Sequence, residues 1–383
     1  MPLIVADANI PLAQEAFSPF GEVRLLPGRA IARADLAGAD ALIVRSVTRV
    51  TRELLEGTPV RFAGTATIGT DHLDIPGLAA LGIPWESAAG CNARSVVEWV
   101  MAGLIEYCLA QRADLADIAL GIVGHGNTGS RLAVVARSLG MKVRVCDPPL
   151  HREGKLPEAL SLEEVLSESD AVTFHVPYTR DGPDATHHMI SWDQLDLLRP
   201  RAAFLNSSRG AVLDNAAALA YARSDASVFL LDVFENEPRP NRDMCRFALL
   251  STPHIAGYSH EGKVNGTRMM AEALARHLGA RSTWVPVLAQ PEPNHIILRP
   301  ARRMLALQEA VRASYDIVAD SNRLREGLEI EDDAAWGQHF DNLRKNYHQR
   351  REFANYTVAL RQEDPLLRSQ LTALGFVVEP SPP

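Results

Sequence analysis

Residues 119–147 read ALGIVGHGNTGSRLAVVARSLGMKVRVCD, and this stretch indicates the fold. An apolar run over 118–123 leads directly into the motif GHGNTG, a glycine spacing that turns a strand sharply into a helix and lets backbone approach a pyrophosphate. The N-terminus of that helix would offer unpaired N–H groups to a diphosphate. The residues predicted to contact a dinucleotide here are Gly124, Gly126, Asn127, Thr128 and Gly129.

The flanks of the motif support a strand, a helix and a second strand. Apolar residues recur every three or four positions over 132–139, which predicts a helix with one buried face, and Gly140 follows where helices commonly end. Residues 141–146 then form another apolar run. The alternative, a glycine-rich turn in some other parallel sheet, does not explain all of these features together.

Asp147 ends the second strand at about the separation from the glycines at which an acidic residue binds the adenosine ribose. A carboxylate there accepts hydrogen bonds from ribose hydroxyls and repels a 2′-phosphate. NAD is therefore predicted over NADP. The residues that follow Asp147 offer no arginine until Arg152, which could favour a 2′-phosphate instead.

Size and composition limit the class of protein. A chain of 383 residues, 46% hydrophobic and 22% charged, is expected to form two or three globular domains. A formal charge of −8 argues against nucleic acid as a partner. No basic segment precedes the first strand-like run, and the longest apolar stretch, 96–110, is interrupted by two glutamates. We expect no signal peptide, no membrane contact and a cytoplasmic location.

The cysteines do not indicate a disulfide framework or a metal site. The four are Cys91, Cys108, Cys146 and Cys245, and none of them forms a CxxC pair. Such spacing predicts reduced thiols and no metal.

Residues 1–93 predict a first α/β unit. Strand-like runs at 3–7, 41–45 and 61–65 alternate with helix-forming segments, which is typical of a parallel sheet covered by helices. Ligands in such sheets lie at the carboxyl ends of the strands. Ser46 and Thr67 follow two of these ends and are candidate substrate contacts, although hydroxyl-rich turns more often serve only as caps.

The connection to the nucleotide domain is predicted to be a helix over about 96–111. Ser95 and Glu98 have the spacing of a capping box, with Ser95 as the cap. A second amphipathic helix, about 263–278, could return the chain to the first domain. Two such helices would form a hinge beside an active-site cleft that closes around substrate.

The predicted domains are therefore three. A substrate domain comprises 1–93 and 258–285, and a nucleotide domain comprises 94–257, with further strands at 171–176, 202–206 and 228–233. Prolines from about position 286 mark a linker. The last domain, 286–383, is predicted to be a small α+β domain without a catalytic pattern of its own.

Three residues fit the chemistry of alcohol oxidation, which needs a base and a cation for the carboxylate or developing carbonyl. Arg209 follows one strand of the nucleotide domain, Glu237 follows the next, and His254 lies where the chain leaves that domain. A carboxylate beside an imidazole favours the cation formed when the ring takes a proton. The chain has 12 histidines, and the rivals of His254 are His72, His175 and His260.

Taken in order, these segments resemble the D-isomer-specific 2-hydroxyacid dehydrogenase family over nearly the whole chain. The segments that carry the resemblance are VRSVTRVT (44–51), FAGTATIGTDHLD (62–74), GCNARSVVEWV (90–100), GIVGHGNTG (121–129), CDPP (146–149), TFHVPYTRDGPDATHH (173–188), NSSRGAVLDN (206–215), LDVFENEP (231–238), STPHIAGYSHEGK (251–263) and FDNLRKNYHQRREF (340–353).

The resemblance implies a fold, a reaction and a set of residues. It implies two Rossmann-like or flavodoxin-like parallel-sheet domains and NAD-dependent oxidation of a phosphorylated 2-hydroxyacid, with Arg209, Glu237 and His254 as the catalytic trio. It matches Ser46, Thr67 and Tyr258 to substrate contacts. The positions assigned to NAD, beyond the glycine motif, are Asp147, Thr173, His175, Asn206, Ser207, Ser208, Asp232 and Gly257.

The resemblance also implies that the C-terminal domain forms a homodimer. Four basic residues of that domain, Arg344, Lys345, Arg350 and Arg351, are interpreted as a solvated basic face. An alternative hypothesis is that one of them reaches across the dimer to the substrate phosphate, because guanidinium groups suit phosphate oxygens.

Two other functions remain open at this point. One is a dehydrogenase of the same family with another substrate, such as 3-phosphoglycerate. The other is an NAD-sensing interaction protein on the same scaffold, similar to dehydrogenase-related transcriptional corepressors. The presence of all three catalytic residues favours an enzyme.

Overall fold

The computed structural model describes residues 1–224, 226–298 and 302–379. The strands, in chain order, are β1 (Leu3–Asp7), β2 (Glu22–Leu26), β3 (Ala41–Val44), β4 (Phe62–Thr65), β5 (Trp85–Ser87), β6 (Ala119–Val123), β7 (Lys142–Cys146), β8 (Ala171–Phe174), β9 (Ala202–Asn206), β10 (Ser227–Leu231), β11 (Leu250–Ser251), β12 (His295–Leu298), β13 (Thr357–Leu360) and β14 (Val377–Val378).

The α-helices of the described residues, with short 3₁₀ turns between several of them, are α1 (Ala13–Phe17), α2 (Arg52–Leu55), α3 (Ile75–Ala80), α4 (Ala93–Gln111), α5 (Asn127–Ser138), α6 (Pro148–Arg152), α7 (Leu162–Glu168), α8 (Trp192–Leu195), α9 (Asn215–Arg223), α10 (Arg242–Phe247), α11 (His260–His277), α12 (Arg303–Ser314), α13 (Ile317–Arg325), α14 (Asp333–Lys345) and α15 (Pro365–Leu374).

The chain divides into two compact units by its contacts. The first comprises residues 1–92 and 258–289, and the second comprises 93–257 and 290–383. The C-terminal segment is thus grouped with the nucleotide-binding fold. The division into three domains with the boundaries given above stays a prediction.

The first unit contains a five-stranded parallel sheet in the order β2-β1-β3-β4-β5. The central strands are buried because their apolar side chains pack into a cluster on each face of the sheet. The predicted strands 3–7, 41–45 and 61–65 match β1, β3 and β4. Sequence analysis missed the edge strands β2 and β5, whose residues are exposed or half-buried and lack an apolar pattern.

The second unit contains a six-stranded parallel sheet in the order β11-β10-β9-β8-β6-β7. Strands β6, β8 and β9 are entirely buried, as their continuous apolar sequences predict. Strand β7 lies on one side of β6 in the sheet, and the next strand along the chain, β8, lies on the other side. The strand order therefore reverses at β6. Ligands of doubly wound sheets bind at such a reversal, beyond the carboxyl ends of the two strands.

The C-terminal segment adds helices and a three-stranded parallel sheet, β12-β13-β14. Its apolar side chains share one core with α4 and α5, whereas Trp336 and Phe340 of α14 join the core on the other face of the large sheet. The predicted fold class, two parallel-sheet domains with a small C-terminal α+β domain, is confirmed, and the strands of the C-terminal sheet pair in parallel. No helix of the described ranges is long and apolar enough to cross a bilayer.

The predicted capping box at the start of α4 is wrong. The helix begins at Ala93, so Ser95 lies inside its first turn. The Glu98 carboxylate does not turn back to Ser95; it accepts hydrogen bonds from the Phe353 backbone N–H at 2.8 Å and from Arg350 at 3.3 Å. Partners from the far end of the chain have replaced the local pairing that the sequence pattern indicates.

Candidate functional site

The glycine motif forms the turn between β6 and α5. Gly124 has a φ of 92°, and a Cβ there would lie 2.7 Å from the His175 carbonyl oxygen. A Cβ on Gly129 would lie 1.9 Å from the Gly124 carbonyl oxygen. The same atom built on Gly126 would meet nothing within 4 Å. The first and third glycines therefore permit close packing, and the second borders open space, as a pyrophosphate site requires.

The start of α5 fits an anionic ligand. Its N-cap residue is Gly126, and no side chain caps the helix. The first N–H groups, those of Asn127, Thr128 and Gly129, lie at the positive end of the helix dipole. Two buried polar atoms of the unit, His125 Nδ1 and Ser207 Oγ, have no hydrogen-bond partner among the described residues. These features are what a bound dinucleotide would satisfy.

Asp147 connects the end of β7 to the glycine turn. One carboxylate oxygen accepts the His125 backbone N–H at 2.7 Å, and the other caps α6 through the Leu150 N–H at 3.0 Å. Arg152, the residue that could favour NADP, donates hydrogen bonds to both carboxylate oxygens of Asp184. The arginine is thus already paired with a carboxylate, which favours NAD.

Two further groups of predicted cofactor residues follow β8 and β9. Thr173 is buried, and its hydroxyl hydrogen-bonds His175 Nε2 at 3.1 Å. Burial lowers the pKa of His175 to about 3, so this ring is neutral and unsuited to act as a base near neutral pH. Asn206 accepts hydrogen bonds from the backbone N–H and the hydroxyl of Ser208, which fixes the loop that leads to Arg209.

Glu237 and His254 are brought together by the structure. A Glu237 carboxylate oxygen lies 2.7 Å from His254 Nδ1, and the other carboxylate oxygen accepts the Phe234 N–H at 2.9 Å. Both side chains are partly buried, with 20% and 33% of their surface exposed. The carboxylate therefore holds the ring in the tautomer that leaves Nε2 available for proton transfer.

Charges around Glu237 keep it ionised. Burial alone would raise the pKa of Glu237, but the charge of His254 and its hydrogen bond lower it. The Phe234 N–H and the charge of Arg344, from α14, add to this effect. The pKa of Glu237 is consequently below its usual value.

The loop that carries His254 is built on Asp232. His254 has a φ of 56°, a left-handed conformation that is rare outside glycine, and its N–H donates to the Asp232 carbonyl at 2.7 Å. The Asp232 carboxylate accepts hydrogen bonds from Thr252 Oγ1 at 2.6 Å, Ile255 N at 2.8 Å and Ala256 N at 2.9 Å. Burial raises the pKa of Asp232, and these donors oppose the rise.

Asp232 thus has a visible function that sequence analysis missed. The resemblance assigned this residue to NAD, whereas in the structure both carboxylate oxygens are bound within the protein and orient the His254 loop. Its assignment to the cofactor stays a prediction, as does that of Gly257, which follows the same loop. The sequence shows only an acidic residue at the end of a strand. It cannot distinguish a carboxylate that binds NAD from one that orients the His254 loop.

Arg209 lies in the loop after β9, partly exposed, with Nη1 donating to the Ser208 carbonyl at 2.8 Å. A Cβ on its neighbour Gly210 would lie 1.9 Å from the Phe234 carbonyl carbon. The loop of Arg209 therefore packs directly against the segment that leads to Glu237. Arg209, Glu237 and His254 all follow strands of the second unit, at the positions predicted from sequence.

The predicted substrate residues belong to the first unit. Ser46 is exposed after β3, and Thr67, after β4, hydrogen-bonds the hydroxyl of Thr65 at 2.8 Å. Tyr258 is half-buried, and the Lys263 ammonium lies 4.4 Å from the centre of its ring. His72, a rival of His254, binds the Thr65 hydroxyl at 3.0 Å, and His260 is the first residue of α11.

The interpretation of the C-terminal basic residues as a solvated face is wrong for two of them. The Arg350 side chain is fully buried, and its guanidinium binds Ser95, Glu98 and Ala256 of the same unit. The alternative, contact with substrate phosphate across a dimer, is excluded for Arg350 by the same contacts. Arg351 is also buried and donates to Asn355 at 3.1 Å, whereas Lys345 is exposed.

Comparisons with known proteins agree with this geometry. Residues 92–256 match the model of the D-isomer specific 2-hydroxyacid dehydrogenase NAD binding domain, and residues 287–375 match a domain of unknown function. An erythronate-4-phosphate dehydrogenase of Pseudomonas savastanoi pv. phaseolicola is 43% identical over 380 residues, covering 98% of this chain and 99% of the relative. The chain belongs to the D-isomer-specific 2-hydroxyacid dehydrogenase family. Its NAD-binding domain confirms the predicted cofactor.

A second relative has the same name, and two solved structures have a similar fold. A second erythronate-4-phosphate dehydrogenase, from Salinibacter ruber, is 44% identical over 366 residues and covers 93% of each chain. The D-lactate dehydrogenase of Aquifex aeolicus, solved with NAD and lactic acid, has a TM-score of 0.58 at 23% identity and covers 72% of this chain and 95% of its own. The NAD⁺-bound 3-phosphoglycerate dehydrogenase of Entamoeba histolytica has a TM-score of 0.62 at 21% identity, with 73% and 95% covered.

Proposed function

We propose that this chain oxidises 4-phospho-D-erythronate to 2-oxo-3-hydroxy-4-phosphobutanoate with NAD, a step of vitamin B6 biosynthesis. The observation that carries the proposal is the Glu237–His254 pair, with 2.7 Å between carboxylate and ring, inside an NAD-binding domain. The substrate is inferred from the relatives at 43% and 44% identity that carry this activity in their name.

His254 is the proton acceptor. Because Glu237 occupies Nδ1, the ring takes the proton of the C2 hydroxyl at Nε2, and the carboxylate stabilises the resulting cation. Arg209 binds the substrate carboxylate with its guanidinium. NAD, when bound, supplies the hydride acceptor. Oxidation starts with Glu237 ionised and with Nε2 of His254 available to accept the proton.

The cofactor is held by the glycine turn and Asp147. The uncapped N-terminus of α5 binds the diphosphate, and the open space at Gly126 admits it. Asp147 binds the adenosine ribose. Its carboxylate disfavours a 2′-phosphate, and Arg152 is paired with Asp184.

The substrate phosphate binds in the first unit, beside Ser46, Thr67 and Tyr258. Two cations lie in this part of the unit: Arg45, adjacent to Ser46, and Lys263, over the Tyr258 ring. Among the described residues, no carboxylate pairs with either one. Burial and the charge of Arg45 lower the pKa of Lys263 to about 8. A bound phosphate would relieve this repulsion.

Purified protein mixed with NAD and 4-phospho-D-erythronate should form NADH, measured by absorbance, with a 2-oxoacid added in a parallel reaction to reoxidise any retained cofactor.

Lys263→Met should raise the KM for the phosphorylated acid about tenfold, since a charge-assisted hydrogen bond is lost. In the unmodified enzyme KM should rise above about pH 8, where Lys263 loses its proton.

The matched control is Lys155→Met, because Lys155 is an exposed lysine paired with Glu153; its KM should not change. The unphosphorylated acid and 3-phosphoglycerate complete the panel. Oxidation of 3-phosphoglycerate alone would show that the substrate is wrong. Binding of NAD without oxidation of any 2-hydroxyacid would favour an NAD-sensing interaction protein.

The C-terminal sheet is the homodimer interface in this proposal. Ile297 and Val377 are 59% and 52% exposed. The strand register places them on the same face of the three-stranded sheet as Thr357, Ala359 and the exposed His295, which lies at one end of that face. An exposed apolar face of this kind suits a second copy of the same surface.

Ile297→Lys should convert the dimer to a monomer, because it places a charge within the apolar interface. The mass is measured by size-exclusion chromatography with light scattering. Val134→Lys is the control, since Val134 is 64% exposed on α5, outside this face. A monomeric unmodified protein, or an Ile297→Lys protein that stays dimeric, would contradict the proposed interface.

A further inference from the structure

Arg350 is one of the largest fully buried side chains of the described residues, with no exposed side-chain surface. Burial of a guanidinium is strongly unfavourable unless the surrounding groups compensate its charge and hydrogen bonds. The groups that compensate Arg350 therefore indicate why a cation is present in this core.

The guanidinium of Arg350 connects three parts of the second unit. Nη1 donates to the Ala256 carbonyl at 3.1 Å, and Nη2 donates to the Ser95 carbonyl at 2.8 Å. The Glu98 carboxylate lies 3.3 Å away, and the centre of the Tyr315 ring lies 3.7 Å from the guanidinium carbon. A planar group with several donors can make these contacts at once, which an ammonium cannot.

The contact with Ala256 acts on the loop of His254. The N–H of Ala256 donates to Asp232, and the carbonyl of Ala256 accepts from Arg350. The peptide groups before and after Ala256 are therefore both fixed by side chains. His254, two residues earlier, has the left-handed backbone described above. No regular ladder supports such a conformation, and side chains must hold it.

The same C-terminal segment also supports Glu237. Trp336 Nε1 of α14 donates to the Pro240 carbonyl at 2.8 Å, shortly after Glu237 in the chain. A Cβ on Gly337 would lie 3.0 Å from Arg239 Cγ, so helix and loop are in direct contact. Arg344, from the end of α14, acts on Glu237 through its charge.

We propose that the C-terminal segment positions the Glu237–His254 pair, with Arg350 as the positioning residue for the loop that carries His254. This inference rests on the proposed function of that pair. It gives the segment of residues 290–379, which includes most of the match to a domain of unknown function, a catalytic contribution in addition to the dimer interface.

Arg350→Lys tests the inference, because the charge opposite Glu98 is kept while one of the two carbonyl contacts is lost. We expect kcat to fall about 30-fold, the Kd for NAD to change less than threefold, and the KM for the phosphorylated acid to stay within threefold. The pH dependence of kcat should also change, since the proton acceptor is no longer held in place.

Arg350→Met combined with Glu98→Gln is the second variant, since the amide avoids a buried carboxyl group that has lost its guanidinium partner and could prevent folding. It should lose more turnover than Arg350→Lys. The titration of the His254 ring, followed by NMR in protein without cofactor, should be altered in both variants. This measurement does not depend on turnover.

Arg312→Met is the matched control. Arg312 also joins the C-terminal segment to α4, through Glu106 at 2.7 Å, but does not contact the His254 loop. It should lose stability without a change in kcat or in the pH dependence. Folded Arg350 variants with unchanged kcat and His254 titration would overturn the inference. An unmodified protein without dehydrogenase activity would instead reject the proposed function.

Discussion

His254→Asn should lower kcat about 10³-fold, the largest effect expected of any substitution in this chain. Asparagine occupies a similar volume and tolerates a left-handed backbone, so the loop should keep its conformation. It has no group that takes a proton near neutral pH. The rate then depends on water, while the NAD site, built from β6, α5 and Asp147, is untouched.

The measurement is a pH profile of kcat and kcat/KM with 4-phospho-D-erythronate, together with the Kd for NAD. Glu237→Gln should lose about 10 to 100-fold in kcat, since the amide can still orient the ring but no longer stabilises its cation. His277→Asn is the control, because this ring packs on Phe62 of the first unit, 5.1 Å away. A His254→Asn enzyme with the wild-type pH profile would reject His254 as the base.

The parts of the fold that sequence predicted are those with a local or periodic signal. The glycine motif requires a strand, a turn and a helix in immediate succession, and Gly124 and Gly129 leave no space for a side chain. The buried central strands have continuous apolar sequences. Polar residues that follow such strands lie at the same edge of a parallel sheet. The sequence alone could therefore predict that Glu237 lies beside His254.

The parts that sequence could not predict depend on contacts between distant segments. Ser95 and Glu98 have the spacing of a capping box, but the Glu98 carboxylate binds a residue 252 positions away, Arg350. The four basic residues of the C-terminal segment read alike in sequence. Arg350 and Arg351 are buried, Arg344 acts on Glu237 through its charge, and Lys345 is exposed, because the position of each depends on how α14 and the following loop pack.

The surroundings of Arg45 and Lys263 also became visible only in the structure. Lys263 is one of four lysines in the sequence, and the structure places it half-buried over the Tyr258 ring without a carboxylate partner among the described residues. Unpaired cations near predicted substrate contacts indicate an anionic ligand. The resemblance implied a phosphorylated substrate, and the structure supplies the residues proposed to bind the phosphate.

Asp232→Asn should lower kcat about 100-fold while the Kd for NAD changes less than threefold. In the native protein, N–H and hydroxyl groups donate hydrogen bonds to both carboxylate oxygens of Asp232. In the variant an NH₂ group replaces one of these oxygens, so two donors face each other there. At least one hydrogen bond to a charged group is lost, worth about 2 kcal/mol. The left-handed backbone at His254 is then no longer held, and a shift of about 1 Å in a catalytic group costs about 10²-fold in rate.

Asp214→Asn separates this effect from a general loss of stability. Asp214 also accepts backbone N–H groups, those of Ala216 and Ala217 at 2.9 and 3.2 Å, at the start of α9 in the same unit. Its variant should lose a similar free energy of unfolding, measured with urea, and keep kcat. If Asp232→Asn instead weakens NAD binding and leaves kcat at saturating NAD unchanged, Asp232 is primarily a cofactor contact and the His254 loop is held by Arg350 and its own backbone.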